Sequence, residues 1–338
     1  MGGDFGPSVT VPASIEFLRI HTDAVLLLVG DNALIDPHLK DVDDGIHSRM
    51  QIVHTSVQIP NESSPAEALR SAKNSSMYIA VNLVKQGQAD ACVSGGNTGA
   101  LLMIGRHLLK TIPGIAKPAI VANIPYPMSG GHGLLLDVGA NVSCDARNLQ
   151  EFAIMGAALW RVENSESRPR VALLNIGVEE HKGTEEVRQA ARLLGNTTFL
   201  DFVGYIEGNE LYSDKADVVV CDGFAGNLAI KTSEGVVNVV TSVIEKVMSA
   251  NLLSRLIGRI LASMIKTLKA KVDPSRYNGA SVLGLQGIIV KSHGNANARG
   301  FQRAIAQARQ EVRSSVPRVI QDYMASLDAN APDLVQSS

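Results

Sequence analysis

The amino-acid sequence predicts an α/β fold in which a mainly parallel sheet is covered by helices on both faces. Three observations predict it. Short apolar runs bounded by Gly, Pro or Asp recur along the 338 residues, amphipathic or alanine-rich stretches separate them, and 45% of the residues are hydrophobic. Because neither a Pro/Ser-rich linker nor a repeat interrupts the pattern, residues 1–325 are expected to form one domain, followed by a flexible tail at 326–338.

The apolar runs are four to six residues long, and they predict the strands of this sheet. In chain order the predicted strands are Ala24–Val29, Ala89–Ser94, Ala119–Ile124, Leu134–Val138, Val171–Ile176, Phe199–Gly204, Val218–Cys221 and Gly287–Val290. The stretches between them predict the helices Val11–Ile20, Ser64–Gln86, Gly99–Lys110, Ala146–Val162, Thr184–Leu194, Ala225–Met248 and Ala296–Met324. Both halves of the chain therefore contribute to the sheet.

Charge and cysteine usage exclude several classes of protein. The formal net charge of −2 creates no global attraction for nucleic acid, which we do not expect as a partner. Cys92, Cys144 and Cys221 are widely spaced, without a metal-ligand pattern, and favour a reducing compartment. The sequence shows neither a secretory signal nor an apolar run of about 18 residues, so a cytoplasmic location is expected.

The segment Ser94–Ala100, with the sequence SGGNTGA, follows a predicted strand and opens a predicted helix. Its glycines allow close approach of the backbone, and the amides at a helix N-terminus point at an anion. The segment is therefore typical of a phosphate loop, although it lacks the lysine of a Walker sequence and is not G-x-G-x-x-G. A tight strand-to-helix turn that binds nothing is the alternative.

Other predicted strands also end in polar loops. Asp222–Asn227 resembles the Ser94–Ala100 loop, since an acid and two glycines lead into a predicted helix. Leu136–Asn141 supplies a carboxylate and an amide. Asn175–Gly183 supplies Lys182, the strongest candidate cation. In an open parallel sheet such loops gather on one edge, where ligands bind. We therefore expect these loops to share one edge. His293, after the last predicted strand, could donate a hydrogen bond or cap the helix beginning near Asn295.

No zinc-binding cluster and no Ser/His/Asp arrangement are visible in the sequence, so neither a metal nor another cofactor is predicted. Asp4, Asp137 and Asp222 could hold a divalent ion through their carboxylates. Turn formation and anchoring of loop amides are favoured for these acids, because aspartate at a strand end commonly does that.

The stretch from Lys246 to Val272 contains six cationic residues and no acidic one. On a helix, Arg255, Arg259, Lys266 and Lys269 would form a narrow basic stripe opposite a broad apolar face. Such a helix could lie on an anionic membrane surface or pack in a subunit interface with a solvated basic edge. For membrane contact, the candidate residues are Leu256, Ile257, Ile260, Leu261 and Met264.

Seven segments, taken together and in order, carry a family resemblance. They are Met1–Asp4, Ser94–Ala100, Leu135–Asn141, Asn175–Gly183, Tyr205–Asn209, Cys221–Asn227 and Ser292–Gly294. They resemble the PlsX family of phosphate acyltransferases over nearly the whole chain. The resemblance implies a Rossmann-like α/β/α sandwich related to the isopropylmalate dehydrogenase and phosphotransacetylase type, with a protruding helical segment.

The resemblance also implies a reaction and its partners. A fatty acyl group would pass from acyl-acyl carrier protein to inorganic phosphate, giving acyl phosphate for a membrane glycerol-3-phosphate acyltransferase of phospholipid synthesis. A homodimer attached peripherally to the inner face of the membrane is implied as well. An acidic carrier protein needs a basic docking surface, for which a stripe at helical spacing is the candidate and a solvated face the alternative: Arg299, Arg303, Arg309 and Arg313.

The chemistry assigns roles to particular residues. Lys182 is expected to neutralise phosphate or the oxyanion, Asn227 to orient the nucleophile, and His293 to complete the catalytic set. Phosphate and substrate are expected on the loop residues Gly3, Asp4, Ser94, Gly96, Asn97, Thr98, Gly99, Asp137, Asn141, Asn175, Asp222, Gly223 and Gly226.

One departure from the family pattern lies at the start of the sequence. Family members carry a short apolar strand before the Met1–Asp4 motif, and the sequence contains no such strand there. Loss of a central strand unburies apolar surface and leaves backbone groups unpaired. The protein is therefore expected to be less stable than one with about seven more residues at this end.

Three other functions fit parts of the sequence. A nicotinamide-dependent decarboxylating dehydrogenase would need a metal-binding aspartate set and an arginine cluster, and that cluster is not found. A non-enzymatic adaptor for a membrane or carrier protein would leave the anion-binding loops unexplained. A short-chain phosphotransacetylase acting on coenzyme A is separated from the main hypothesis only by the order of motifs along the whole chain.

Overall fold

The computed structural model describes residues 1–60, 62–63, 68, 72–164, 168–249 and 278–329. Within these residues the strands are β1 Leu26–Gly30, β2 Met50–His54, β3 Ala91–Ser94, β4 Ala119–Pro125, β5 His132–Leu136, β6 Arg170–Asn175, β7 Asp201–Glu207, β8 Val218–Val220, β9 Ala280–Leu283 and β10 Ile288–Lys291. The α-helices are α1 Pro7–Ile20, α2 Asn32–Ile35, α3 Asp44–His47, α4 Ser76–Lys85, α5 Thr98–Leu109, α6 Ala146–Asn164, α7 Glu185–Gly195, α8 Gly223–Ser249, α9 Ala298–Arg313 and α10 Val316–Ala329.

Several of these helices begin where a short polar side chain satisfies the first turn. Asn97 caps α5 by accepting a hydrogen bond from Ala100 N, Thr184 caps α7, and Asn297 caps α9 by accepting from Gly300 N. Such caps satisfy amides that have no acceptor within the helix. The cap at Asn297 also decides between the two interpretations of His293, because it excludes His293 as the capping residue.

The strands form one sheet of eight strands in the order β3-β10-β9-β4-β5-β8-β6-β7 and a separate pair, β1-β2. All eight predicted strands are present, each displaced by at most three residues at an end. The prediction missed β2 and β9. The fold is thus α/β with a mostly parallel sheet, as predicted.

The directions of the strands correct the expectation that all polar loops share one edge. β9 is antiparallel to both β10 and β4, and β4 is antiparallel to β5. Strands β3, β10 and β4 therefore point one way, while β5, β8, β6 and β7 point the other way. The loops that follow β3 and β10 consequently lie at one edge, and those that follow β5, β8 and β6 lie at the opposite edge.

Helices cover both faces of the sheet. One face carries α6, α7 and α10 on the strands from β4 to β7, and α1 and α9 near β3 and β10. The other face carries α4 and α5, packed on Cys92, Ile120 and Ile289, and α8, packed on Leu135 and Val219. No helix among the described residues is long and apolar enough to cross a bilayer.

The C-terminal helix differs from the prediction. Instead of one helix from Ala296 to Met324, the structure has α9 and α10, separated at Ser314 and Ser315, and Ser315 has φ 51°. The chain turns there in a conformation that β-carbon-bearing residues rarely adopt. α10 then extends to Ala329, four residues into the predicted tail, and residues 330–338 lie outside the described residues.

An elongated cavity of about 590 Å³ separates the two sheets. It lies between β1 and β3, each of which is paired on one side only within the described residues. Met77, Ala80 and Leu83 of α4 cover one side of the cavity, and side chains of α1 and α9, including Phe17 and Phe301, cover the other. Both helical layers therefore continue across a gap between two strand edges.

Candidate functional site

The candidate site is a cleft on the face of the sheet that carries α5 and α8. α5 covers the half of the sheet built by β3, β10 and β9, and α8 covers the half built by β5, β8 and β6. Val138, after β5, contacts the apolar clusters beneath both helices. The cleft thus extends across the sheet, with one group of polar loops at each end.

The first end of the cleft is formed by three loops that pack backbone against backbone. Asp4 N donates to Gly294 O at 2.8 Å, and Ser292 N donates to Ser94 O at 2.9 Å. Gly3 has φ 78°, and a Cβ there would lie 3.0 Å from Gly294 O. Glycine is therefore required at position 3 for two reasons: the positive φ, and the close approach of the loop that contains Gly294.

The phosphate-loop candidate lies at this end and opens α5 as predicted. Gly96 N donates to Ser94 Oγ at 3.2 Å, which folds the loop back on its strand, and Asn97 Nδ2 donates to Ser63 O at 3.0 Å. Ala100 N donates to the capping side chain of Asn97. Thr98 N and Gly99 N also belong to the first turn of α5, where amides have no acceptor within the helix. This end can receive an anion.

The second end of the cleft is built around a fully buried acid, Asp137. Its carboxylate accepts hydrogen bonds from Ile120 N at 2.9 Å, Ala140 N at 3.1 Å and Asn141 N at 2.7 Å, and from Asn141 Nδ2 at 3.0 Å. Burial raises the pKa of Asp137, while these donors act in the opposite direction. Because its oxygens already have protein donors, Asp137 holds the loop in shape and does not face a ligand.

The turn from β8 into α8 packs directly against that loop. Gly223 N donates to Asn141 O at 2.7 Å, and Asp222 Oδ1 accepts from Ala225 N at 2.7 Å. A Cβ at Gly226 would overlap the carbonyl oxygen of Asp137. Asp222 is therefore a capping residue, and Gly223 and Gly226 serve close packing, which leaves Asn227 as the first side chain of α8 exposed beside Gly139.

Lys182 lies at the same edge, in the loop that follows β6. Asn175, at the end of β6, donates to Gly177 O at 3.0 Å and to Lys182 O at 3.3 Å, so its amide fixes the path of the loop. The stem of Lys182 passes over Gly177, where a Cβ would come within 3.1 Å of Lys182 Cγ. Asn175 thus positions the loop, and Lys182 is the side chain that the loop presents, half-buried.

A polar stripe on α8 joins the two ends of the cleft. Asn227, Lys231 and Glu234 lie at i, i+4 and i+7, hence on one face of the helix over about 10 Å. Glu234 bonds to Lys231 Nζ at 2.7 Å and approaches His293 Nε2 at 3.4 Å. His293 is therefore held at the first end of the cleft, while Asn227 lies at the second.

Lys291 is a residue of this site that sequence analysis missed. It is the last residue of β10, paired in register with Ser94, and it is half-buried on the cleft face. Burial lowers the pKa of Lys291 to about 8, the carboxylate of Asp4 counteracts this, and the nearby ammonium of Lys231 lowers it further. The predicted strand ended at Val290, so Lys291 was left between the strand and the Ser292–Gly294 motif without a role. Since β10 is buried on both faces, no alternation in its sequence indicates where the Lys291 side chain points.

The cysteines do not provide a nucleophile. Burial raises the pKa of Cys92 and of Cys144 to about 12, and it raises the pKa of Cys221 strongly as well. All three thiols are therefore protonated at neutral pH. The chemistry that the cleft supports is binding of an anion by backbone amides and cationic side chains at its two ends.

The proposed docking arginines lie on α9, which covers the opposite face of the sheet from the cleft. Arg299 and Arg313 are exposed, and Arg309 forms two hydrogen bonds to Asp23 at 2.8 and 2.9 Å. Leu256, Ile257, Ile260, Leu261 and Met264, the candidate membrane residues, lie outside the described residues, as does most of the basic segment from Lys246 to Val272.

Solved structures show the class of protein that this fold defines. A phosphotransacetylase from Streptococcus pyogenes matches with a TM-score of 0.61 and 17% identity, covering 90% of each chain. The EutD phosphotransacetylase from Staphylococcus aureus matches with a TM-score of 0.55 and 15% identity, covering 91% of this chain and 90% of its own. The chain therefore has the phosphotransacetylase type of α/β fold.

Sequence comparison narrows this class to one family. The model of the fatty acid synthesis protein family matches residues 1–319. A phosphate acyltransferase from Shewanella sp. (strain W3-18-1) is 45% identical over 327 residues, which cover 97% of this chain and 95% of the relative. The chain belongs to the PlsX family of phosphate acyltransferases, and it is an acyltransferase that uses phosphate as the acyl acceptor.

Proposed function

We propose that the chain transfers a fatty acyl group from acyl-acyl carrier protein to inorganic phosphate, releasing acyl phosphate and free carrier protein for phospholipid synthesis. The observation that carries the proposal is the cleft, which has glycine-containing loops and a cationic side chain at each of its ends. A phosphate and a thioester carbonyl can lie side by side along such a cleft. The membership of the PlsX family supports the carrier-protein donor.

The reaction needs positioning more than it needs a strong base. A phosphate oxygen attacks the thioester carbon, a C–O bond forms, and the C–S bond breaks as the thiolate leaves with the bonding electrons. A thiol has a pKa of about 8.5, so the leaving group departs as thiolate with little protonation. Inorganic phosphate is partly dianionic near neutral pH, so its attack needs no strong base. Preorganised donors then stabilise the oxyanion of the intermediate.

Three side chains have roles in this proposal. Lys182 neutralises charge on the phosphate or on the oxyanion, and Asn227 orients the nucleophile at the second end of the cleft. His293 lies at the first end, where its Nε2–H faces Glu234 Oε1 at 3.4 Å and its Nδ1 stays available as an acceptor. Burial and the nearby Lys231 lower the pKa of His293, so the neutral ring is favoured at physiological pH.

The carrier protein docks, in this proposal, on the arginines of α9. Arg299 and Arg303 lie in the first two turns, near the edge of the sheet where the first end of the cleft opens. Arg309 is the weakest of the four candidates, because its guanidinium is already engaged by Asp23. We therefore place the docking surface at the N-terminal part of α9.

A homodimer at the inner face of the membrane completes the proposal. α8 carries a ridge of exposed valines at helical spacing, namely Val236, Val239, Val240, Val243 and Val247. Exposed apolar ridges of this kind are commonly covered by a partner. In the proposal a second copy covers the ridge, and the acyl phosphate passes in the cytoplasm to a membrane glycerol-3-phosphate acyltransferase.

The test is thiol release from palmitoyl-acyl carrier protein, measured with and without inorganic phosphate. We expect release that depends on phosphate and yields acyl phosphate in equal amount. Release from short-chain coenzyme A thioesters alone would instead identify a phosphotransacetylase. A folded protein that releases no thiol from either donor would contradict the enzymatic proposal.

A further inference from the structure

Two lysines meet at the first end of the cleft although they lie on different elements. Lys291 ends β10, and Lys231 lies just over two turns into α8. Glu234 links the two elements, because its carboxylate bonds to Lys231 Nζ at 2.7 Å and approaches His293 Nε2, two residues after Lys291, at 3.4 Å. In agreement with this placement, the charge of Lys231 lowers the pKa of Lys291 and of His293. The fold therefore places two ammonium groups at this end, where Lys291 is partly shielded from water and the carboxylates of Asp4 and Glu234 lie nearby. A bound anion would add a further favourable interaction with the two charges.

The contacts of these lysines direct them toward the glycine loops. Lys291 Nζ donates to Ser292 O, which turns the ammonium along the strand toward the loop that contains Gly294. Glu234 holds Lys231 through one carboxylate oxygen and His293 through the other. Since a lysine ammonium has three donors, Lys231 and Lys291 can each hold a protein acceptor and still donate to a ligand.

The surrounding backbone consists of three glycine-containing loops in close contact. Gly2 and Gly3 have φ 130° and 78°, and a Cβ on either would lie 3.0–3.3 Å from the backbone of Gly96 or Gly294, so these positions need glycine for the loops to approach each other. The first turn of α5 starts at Thr98 beside them, and a helix N-terminus favours negative charge. The two lysines, the glycine-containing loops and the N-terminus of α5 therefore all lie at the first end of the cleft.

We propose that Lys291 and Lys231 together bind the acceptor phosphate, at the end of the cleft formed by the segments Gly2–Asp4, Ser94–Thr98 and Ser292–Gly294. The inference rests on the proposed function for the identity of the reaction. The roles along the cleft are then distinct: the two lysines hold phosphate at the first end, Asn227 orients it from the second end, and Lys182 acts there on the oxyanion. Lys291 is thus a substrate-binding residue, and Lys231 is its partner across the cleft.

The test measures binding of inorganic phosphate directly, without an acyl donor. Isothermal titration calorimetry on the full chain compares the wild type with Lys291→Met, Lys231→Met and the control Lys85→Met, which removes an exposed lysine from the far end of α4. We expect Lys291→Met to weaken phosphate affinity by about tenfold or more and Lys231→Met by about threefold to tenfold, with Lys85→Met unchanged.

Steady-state kinetics provide the second readout. In both lysine variants KM for phosphate should rise by the same factor as the dissociation constant, while KM for the acyl donor stays within about twofold of the wild type. A folded Lys291→Met protein with wild-type phosphate affinity overturns the inference and leaves phosphate-dependent thiol release intact. Should Lys291→Met not fold, Lys231→Met, at a half-exposed position, decides alone.

The two proposals fail in different ways. A wild type that binds phosphate through Lys291 but releases no thiol from palmitoyl-acyl carrier protein supports the binding site and contradicts the donor. A wild type that releases thiol with phosphate, while both lysine variants keep its phosphate KM, supports the reaction and overturns the site.

Discussion

Asp137 and Glu311 are both fully buried acids, and in each case the surroundings decide what the carboxyl group does. Asp137 is surrounded by N–H donors, so it organises the loop after β5. Glu311, on α9, contacts Ser281 Oγ and accepts from Gln307 Nε2 at 3.2 Å, and the nearby Glu163 opposes its ionisation. Burial raises the pKa of Glu311 from 4.5 to about 7, so its carboxyl group is largely protonated below neutrality.

The Glu311 carboxyl should make the folded state less stable as pH rises. Its pKa is higher in the folded than in the unfolded protein, so the folded state binds more protons between pH 4.5 and 7. The free energy of unfolding should therefore fall through this window, by an amount on the order of 3 kcal/mol. In Glu311→Gln, the decrease in Tm between pH 5 and pH 8 should be smaller than in the wild type. Equal decreases would show that other groups cause the pH dependence.

Lys182 is the residue on which the proposed chemistry depends most at the second end of the cleft. Replacing it with alanine removes a positive charge and should lower kcat by about 100-fold, since loss of one oxyanion-stabilising group costs that much or more. The measurement is phosphate-dependent thiol release, with calorimetric phosphate affinity as the control for the first end. A folded Lys182→Ala protein with full turnover would remove Lys182 from the mechanism.

Sequence patterns identified loops more reliably than they identified what each residue in a loop does. Asp137 and Lys291 illustrate the reason. The sequence listed Asp137 among the substrate-binding residues but favoured anchoring of loop amides, and its four N–H donors confirm the anchoring role. That one of these donors comes from β4 could not be predicted, because it depends on how the strands pair. Lys291 was not predicted, because its approach to Lys231 joins elements 60 residues apart in the chain.

At the scale of elements, the order of strands along the chain was predictable and their directions were not. Apolar runs bounded by turn residues identify strands without specifying their partners. The antiparallel pairs around β4 and β9 reverse half of the sheet, and β9 itself was not predicted. The loops at the two edges of the sheet still belong to one site, because α8 spans the cleft and places Asn227 at one end and Glu234 at the other.

The start of α8 makes a prediction about packing between elements. Gly226 is buried against the carbonyl oxygen of Asp137, so Gly226→Ala must displace the helix or the loop after β5 and should destabilise the protein by about 3 kcal/mol. Gly235, in the same helix, has open space around it, and Gly235→Ala should stabilise by about 0.5–1 kcal/mol. Thermal unfolding of both variants provides the comparison. A neutral Gly226→Ala would mean that the turn can relax freely.

At the scale of the whole molecule, the helical layers are more continuous than the sheet between them. α4 on one face and α1 and α9 on the other span the cavity between β1 and β3. Strand edges that face each other across a cavity have unpaired backbone groups on both sides. The Met1 ammonium occupies the end of this cavity and donates to Val29 O at 2.8 Å, where an amide of a neighbouring strand would donate.

An apolar segment of about seven residues joined to Met1 should fill this cavity and raise the stability of the protein. Running back from Met1, it would lie between β1 and β3 and pair with both edges, since the chain enters at the carboxyl ends of these strands. It would also replace a buried ammonium, whose pKa is lowered by burial, with a neutral amide. Burial of several apolar side chains contributes several kcal/mol, so we expect Tm to rise by about 5 °C or more.

The matched control is an extension of equal length in which Asp and Pro replace the apolar residues. Proline does not pair in a central strand, and burying an aspartate there costs free energy. If both extensions leave Tm unchanged, the cavity does not accept a strand; if both raise it equally, the gain comes from removing the buried charge alone.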